Sequence, residues 1–370
     1  MPFNLPIDNE SKEMFHKRPK YVIKVIGVGG AGNNAIERMV RLGVSDVDLI
    51  AANTDVQVLE SSSAKFKLQL GKELTRGLGA GGNPEKGEKA AEESIDEIRE
   101  MIQGTDLLFI TAGLGGGTGT GAAPVIARIA RELGILTVAV VTIPFHFEGS
   151  TKQKIANGGL NKLKPYVDTL IKISNDKLLE ENDDIPIRQA FAKADDILYQ
   201  GITGISDLIT KKGLVNTDFA DVESVLKRRG SAMLGIGWGK GSNKAEEAAK
   251  NALNSKFLEN SVQNATAALV NVSGKNPTLK DLKVVTSILH SYSTDEVNLK
   301  YGITEVDDMQ PDELKVTIVA AGYNKILNEY DGENIYEIPA VYRLFGNNIL
   351  NEEKIKLEKY LEAQQNDYEE

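Results

Sequence analysis

The chain has 370 residues, 41% of them hydrophobic, a formal net charge of -10 and no cysteine. That length suffices for two domains with ordinary cores, and the missing cysteines exclude disulfides and thiolate metal or nucleophile sites. The acidic balance argues against a general binder of nucleic acid or anionic membrane.

The opening residues, MPFNLPIDNESKEMFHKRPK, lack the apolar core of a signal peptide, and no run approaches the roughly 18 apolar residues of a membrane span. A cytoplasmic protein is expected, with any membrane role passing through a partner and residues 1–20 forming a flexible extension. From residue 21 onward, short β-rich runs alternate with helical patterns. Strands are expected at 21–28, 47–53, 105–113, 135–144 and 166–174, where the sequence is almost continuously apolar, as in strands buried on both faces. Helices are expected at 33–42, 85–103, 121–133 and 152–164. This rhythm predicts a parallel sheet flanked by helices, with ligands at the carboxyl ends of the strands.

Residues 187–212 then carry a long helical pattern, with Ala190, Phe191, Ala194, Leu198, Ile202, Ile205 and Leu208 at helical spacing. Its length suits a spine between two halves. A loop and helix at 213–230 precede strands near 232–238, 265–274, 298–304 and 313–322 and helices near 243–253 and 279–290. The fold class is α/β: a parallel-sheet nucleotide-binding domain over 21–186, joined by the central helix to a smaller α+β domain over 231–322. A short polar linker (323–334), the segment 335–345 and a charged terminal helix (346–370) read as additions to that core.

Three glycine-rich loops carry the chemistry. GVGGAGNN (27–34) holds Gly27, Gly29 and Gly32 in a G-x-G-x-x-G spacing between a strand and a helix. Alone it fits either a structural turn or a dinucleotide-binding oxidoreductase, with Asp48 or Asp55 as the ribose acid. GLGGGTGTG (113–121) repeats the strand-to-helix arrangement, adding the Thr118 and Thr120 hydroxyls and, near the expected first turn, Pro124. RGLGAGGNPEKG (76–87) is the third, with Pro84 at the start of its helix. Three such loops on one parallel sheet point to a polyphosphate bound by bare backbone N–H groups. No G-x-x-x-x-G-K-[ST] pattern occurs, so backbone dipoles and a metal, rather than a P-loop lysine, must meet the phosphate charge.

GGGTGTG (115–121) resembles the tubulin signature of the FtsZ family of prokaryotic cell-division GTPases. The resemblance extends through ANTD (52–55), GAGGNPE (79–85), PFHFEG (144–149), NDKLLE (175–180) and NTDFADV (216–222), covering nearly all of 20–322. It implies a tubulin-like fold and GTP or GDP bound with Mg²⁺. Gly29, Gly30 and Asn33, Gly81, Gly82 and Asn83, and Gly115, Gly116, Gly117, Thr118 and Gly119 would surround the phosphates. Glu148 and Asn175 would hold the ribose and base side, Phe191 would stack near the guanine, and Asp195 would accept from the guanine N1–H and 2-amino groups. Lys152 departs from the arginine of many relatives; it keeps the charge and loses the planar fork.

NTDFADV has two readings. Locally, Asp218 is a helix N-cap and Asp221 an acid in the first turn. The resemblance implies instead a catalytic loop whose Asn216, Asp218 and Asp221 act on the nucleotide of the next subunit, tying hydrolysis to head-to-tail filaments and to a division-ring scaffold at mid-cell. Residues 335–345 resemble the peptide that docks on membrane tethers and regulators, with Ile338, Pro339, Val341 and Leu344 as anchors; packing on its own domain is the alternative. His16, His146 and His290 are scattered without zinc spacing, and Trp238 beside glycines reads as packing. An oxidoreductase would need only one glycine fingerprint and a hydride-transfer partner. A non-polymerising regulator would be expected to lack the acidic loop.

Overall fold

Runs of β-branched and leucine-rich sequence, too apolar for any exposed face, become the centre of a sheet in the computed structural model, which describes residues 21–44, 46–178, 186–211, 217–255, 265–292 and 297–323. The expectations for 1–20, Asn216, 335–345 and 346–370 lie outside these residues. Strands β1 (Ile23–Val28), β2 (Asp48–Asn53), β3 (Phe66–Gln69), β4 (Leu107–Gly113), β5 (Leu136–Ile143) and β6 (Thr169–Ser174) run parallel in the order β3-β2-β1-β4-β5-β6. Every residue of β5 is buried, which explains its unbroken apolar sequence.

Helices α1 (Gly29–Arg41) and α8 (Ile187–Thr210) cover one face, packing Ile36, Met39, Leu198, Ile202 and Ile205 on Phe109 and Val138. The other face carries α4 (Pro84–Glu93), α5 (Ile95–Ile102), α6 (Thr118–Glu132) and α7 (Ser150–Leu163), whose small residues Ala90, Ala122, Ala123 and Ala156 allow close approach. Short helices α2 (Val56–Ser61) and α3 (Lys72–Thr75) lie beside the β2 and β3 edge.

After α9 (Phe219–Leu226) the sheet continues rather than ending. Strand β7 (Gly230–Lys240) pairs parallel to β6 from Thr169 opposite Gly230 to Ile171 opposite Ala232. β10 (Glu313–Ala321) is antiparallel to both β7 and β8 (Ala267–Gly274), and β9 (Asn298–Glu305) closes the edge parallel to β8. The smaller half thus shares the sheet of the larger, with its own core under α10 (Lys244–Leu253) and α11 (Leu279–Tyr292). Leu234, Leu269 and Val319 of that half join the cluster around α8, so the central helix is packed from both sides.

Four local departures from the sequence pattern have physical causes. The first helix starts at Gly29, inside the glycine loop, because the loop is itself the first turn. The long run at 85–103 breaks at Ser94 (φ -103°, ψ 23°), where the hydroxyl accepts the Gly71 N–H at 3.0 Å. Helix α6 begins at Thr118, leaving Pro124 inside the helix rather than near its first turn. Lys164–Tyr166 forms a 3₁₀ turn around Pro165, delaying β6 to Thr169.

Helix α10 presses directly on β7. A Cβ at Gly237 would lie 2.2 Å from the Ala248 carbonyl oxygen and 2.2 Å from the Ala252 nitrogen, whereas one at Gly158 on α7 meets open space. Gly237→Ala is therefore expected to lower the unfolding free energy by about 1–3 kcal/mol or more, measured by urea denaturation. Gly158→Ala in the same assay should leave stability unchanged or raise it by about 0.5–1 kcal/mol.

Candidate functional site

The parallel strands bring the three glycine loops to one edge. β1 and β4 end side by side, Val28 opposite Ala112, and β5 ends beside them, Thr142 opposite Gly113. The loops then interlock: a Cβ on Gly29 would sit 2.8 Å from the Gly119 nitrogen, and one on Gly117 2.8 Å from the Ala80 Cβ and 2.9 Å from the Asn83 nitrogen. The hydroxyls of Thr54, at the end of β2, and Thr118 are 2.6 Å apart.

Two classes of glycine emerge among the expected site residues. Gly29, Gly117 and Gly119 are small because other loops press on them, and Gly115 lies 2.7 Å, at its Cβ position, from the Pro144 ring. Gly30, Gly81, Gly82 and Gly116 face open space, with Gly81 and Gly82 at φ +61° and +75°. At those four positions the backbone is bare toward solvent, an arrangement that can hydrogen-bond an anion.

The polar residues of these loops are mostly spent on the loops themselves. Asn33, 3% exposed, donates to the Gly27 carbonyl at 2.8 Å and accepts from the Asn53 amide at 2.8 Å, tying β1, α1 and β2 together. Asn83 caps α4, accepting from the Glu85 and Lys86 N–H groups at 2.9 and 3.3 Å. The Thr120 hydroxyl is buried and accepts the Gly115 N–H at 2.9 Å, so it braces the loop from within, and only Thr118 remains beside the bare backbone.

The base-side residues gather beyond the ends of β5 and β6. Asn175 is 5% exposed and its Oδ1 has no hydrogen-bond partner among the described residues, which leaves an acceptor available at this edge. Glu148 accepts from the Phe145 N–H at 2.9 Å through one oxygen and pairs with the Lys152 ammonium at 2.9 Å through the other. Lys152 is therefore engaged as a point charge on its own helical turn. Phe191 meets Phe145 edge-on at 5.3 Å, and this contact joins the Glu148 turn to a cleft of about 580 Å³.

That cleft is lined by Asn34, Arg38, Arg188, Phe191 and Asp195. Burial pushes the Asp195 carboxyl up to about 7; Arg38 pulls it down and Asp196 adds a smaller upward push. The Arg38 fork reaches Asp196 Oδ1 at 3.0 and 3.3 Å, and Gln200 donates to the other oxygen at 2.6 Å. These contacts fix the turn of α8 that carries Asp195. Arg38 and Arg188 had no motif to announce them, and nothing in GVGGAGNN distinguishes its last residue, Asn34; the packing of α1 against α8 brings them to the cleft.

The acidic loop lies elsewhere. Asp218 occupies the N-cap position of α9, yet its side chain makes no capping hydrogen bond, and Asp221 pairs with the Lys300 ammonium at 2.8 Å. Phe219 stacks on Tyr21, two residues before β1, and the chain leaving α9 donates from Arg229 and Gly230 to the Asp168 carbonyl, just before β6. These are the amino ends of the strands. The glycine loops are at the other edge, about 20 Å away by the length of a six-residue strand.

The same polarity removes the ribose-acid candidates of a dehydrogenase. Asp48 opens β2 at the amino edge, and Asp55 is occupied as the cap of α2, accepting from Gln57 and Val58 at 3.0 and 3.4 Å. Trp238 is 48% exposed on β7, with the Lys315 ammonium 5.7 Å from its ring centre, so it is not a core residue. Among the described residues no group of three or more His, Cys, Asp or Glu gathers.

The Tubulin/FtsZ family GTPase domain matches residues 22–183, and the FtsZ family C-terminal domain matches residues 230–324. An empty FtsZ dimer from M. jannaschii is 44% identical over 85% of this chain and 93% of its own, with a TM-score of 0.81. A mutant of that FtsZ gives 44% identity, coverage of 85% and 96%, and a TM-score of 0.80. CetZ2 from Haloferax volcanii, solved as a GTPγS-bound protofilament, shares the fold at 21% identity, coverage of 82% and 94%, and a TM-score of 0.68. With both domains matched in order and close to half the aligned residues identical to a solved FtsZ, the chain belongs to the FtsZ family and is a GTPase.

Proposed function

We propose that this GTPase binds GTP or GDP with Mg²⁺, assembles head to tail into filaments and cuts GTP where two subunits meet. It would serve as the cytoplasmic scaffold of the division ring at mid-cell. One observation carries the reading: the bare glycine backbone and the acidic loop occupy opposite edges of one parallel sheet. No motion of a side chain spans about 20 Å. A second copy stacked on the first closes the gap, and such a heterologous contact propagates as a filament. The solved FtsZ described as a dimer supports self-association of this kind of chain.

In this reading the N–H groups around Gly30, Gly81, Gly82 and Gly116 take the phosphates, with Gly29, Gly115, Gly117, Gly119, Asn33 and Asn83 shaping their loops. The unpartnered Asn175 oxygen and Glu148 serve the ribose and base side, and Phe191 packs on the guanine. Ionised Asp195 accepts from guanine N1–H and the 2-amino group; adenine, with an acceptor at N1 and no 2-amino group, would leave it unpaired. Lys152, already paired with Glu148, contributes charge rather than a bidentate clamp. Because the described residues form no acidic cage, Mg²⁺ would be held chiefly by the phosphates, beside the Thr54 and Thr118 hydroxyls, and would neutralise phosphate charge. Asp218 and Asp221, with Asn216, would polarise the water that attacks the neighbour's γ-phosphate. Residues 335–345 would bind membrane-tethering and regulatory division proteins, with neither nucleic acid nor direct membrane insertion involved; no described helix is long and apolar enough to cross a membrane.

GTPase rate plotted against protein concentration is expected to show a threshold, since the site needs two subunits; a straight line through the origin would sink the shared-site reading. Asp218→Ala should retain GTP binding while turnover of assembled protein falls by about 10²–10³. Mixed with wild type, it should depress activity beyond simple dilution.

Asp195 makes a pH prediction. Its carboxyl, raised to about 7 by burial, is protonated in the free protein below that pH, whereas guanine's two donors need the carboxylate. GTP affinity is therefore expected to drop about tenfold per pH unit below the pKa, with a proton released on binding, and titration calorimetry in buffers of different ionisation enthalpy reads both. Asp195→Asn should abolish the slope. The sign for the free fold is opposite: its stability declines as pH rises from about 4, the unfolded value, to the folded value, and is level above it.

A further inference from the structure

The first turn of α9 is held from both halves of the chain. Phe219 stacks on Tyr21 with ring centres 4.6 Å apart and planes inclined by 18°. On the opposite side, the Thr217 hydroxyl donates to the Tyr301 carbonyl at 3.3 Å and Asp221 pairs with Lys300 at 2.8 Å, both partners lying on β9. Asp218 sits between these contacts, and its side chain makes no hydrogen bond or ion pair with any described residue.

These contacts are poorly placed to hold the fold together. Val222, Val225 and Leu226, each fully buried, already anchor α9 in the core, whereas Tyr21 remains 39% exposed and the side chains of Lys300 and Asp221 are 33% and 41% exposed. Exposed ion pairs add little stability. What the stack and the pair add is orientation: the buried anchors begin at Val222, and the contacts at residues 219 and 221 extend the grip to the start of the helix, next to Asp218.

We propose that Tyr21 and Lys300 are positioning residues for hydrolysis, gripping the first turn of α9 so that the Asp218 carboxylate is presented to the neighbouring nucleotide already aligned. The proposal rests on the reading that the acidic loop acts on the next subunit. Its physical basis is that a carboxylate held in place loses no orientational freedom when the interface closes.

The test compares full-length Tyr21→Ala, Tyr21→Phe, Lys300→Met and Lys300→Arg, each alone and combined with Asp218→Ala. Three quantities are read: GTP affinity, the fraction pelleted with a slowly hydrolysed GTP analogue, and turnover per pelleted subunit. Tyr21→Ala and Lys300→Met should each lower turnover per pelleted subunit by roughly three- to tenfold, with affinity and pelleting within about twofold of wild type. Tyr21→Phe and Lys300→Arg should restore most of it. In the Asp218→Ala background the same changes should have no further effect, because there is no carboxylate left to align. Unchanged turnover in both Tyr21→Ala and Lys300→Met overturns the proposal, as does a loss that multiplies with that of Asp218→Ala. If Tyr21→Ala does not fold, the stack is structural and Tyr21's role fails, while Lys300→Met decides its own. An Asp218→Ala protein that hydrolyses normally when assembled would instead overturn the acidic-loop reading itself.

Discussion

Strand direction is the constraint on which everything else in this molecule rests. Because β1, β4, β5 and β6 run parallel, every loop leaving a strand emerges at one edge and every loop entering a strand at the other. The glycine loops follow strands; the acidic loop and its helix precede one. No substitution within a loop can change that assignment, since it follows from the hydrogen-bond ladder of the sheet. A chain with both elements must either leave one idle or complete its site with a second molecule.

At the glycine edge the loops stabilise one another by close packing. Several glycines are small so that loops can press on one another: beyond the contacts of Gly29 and Gly117, a Cβ on Gly87 would lie 2.4 Å from the Gly117 carbonyl oxygen and one on Gly121 2.0 Å from that of Pro84. The buried Asn33–Asn53 pair and the Asn83 cap then satisfy the backbone groups that these turns would strand. The glycines that face open space are held by their packed neighbours. Affinity for a polyphosphate in such a site comes from donors fixed before the ligand arrives, which costs less on binding than ordering a loose loop.

Much of this was legible in the sequence, and the exceptions share a cause. Continuous apolar runs gave the inner strands, the three glycine loops meet at one edge of the parallel strands, and the spacing over 187–212 matched a helix running Ile187–Thr210. What failed to show depends on neighbours distant in the chain. Ser94 interrupts a good helical pattern because its hydroxyl answers Gly71. Asn33 reads as a motif residue, yet its amide also braces the loop by accepting from Asn53, twenty residues on. The short edge strand β3 has too few residues for periodicity to register, and the β6 to β7 pairing rests on three residue pairs that no local pattern announces. Arg38 reads as a solvated charge on α1 until α8 lies beside it.

That contact between α1 and α8 links the parts of the site. α1 begins in the first glycine loop and α8 carries Phe191 and Asp195, so the Arg38 to Asp196 fork ties the helix of that loop to the cleft. Farther along, Leu198, Ile202 and Ile205 of the same helix pack among Leu234, Leu269 and Val319 of the second half. A nucleotide bound as proposed at Asp195 would act on a rod whose middle is buried in both halves. Close-packed cores deform little, so a shift at one end of the rod is passed to the other rather than absorbed. In the proposed reading, the helix that meets the base is thus followed directly in the chain by the segment that carries the acids.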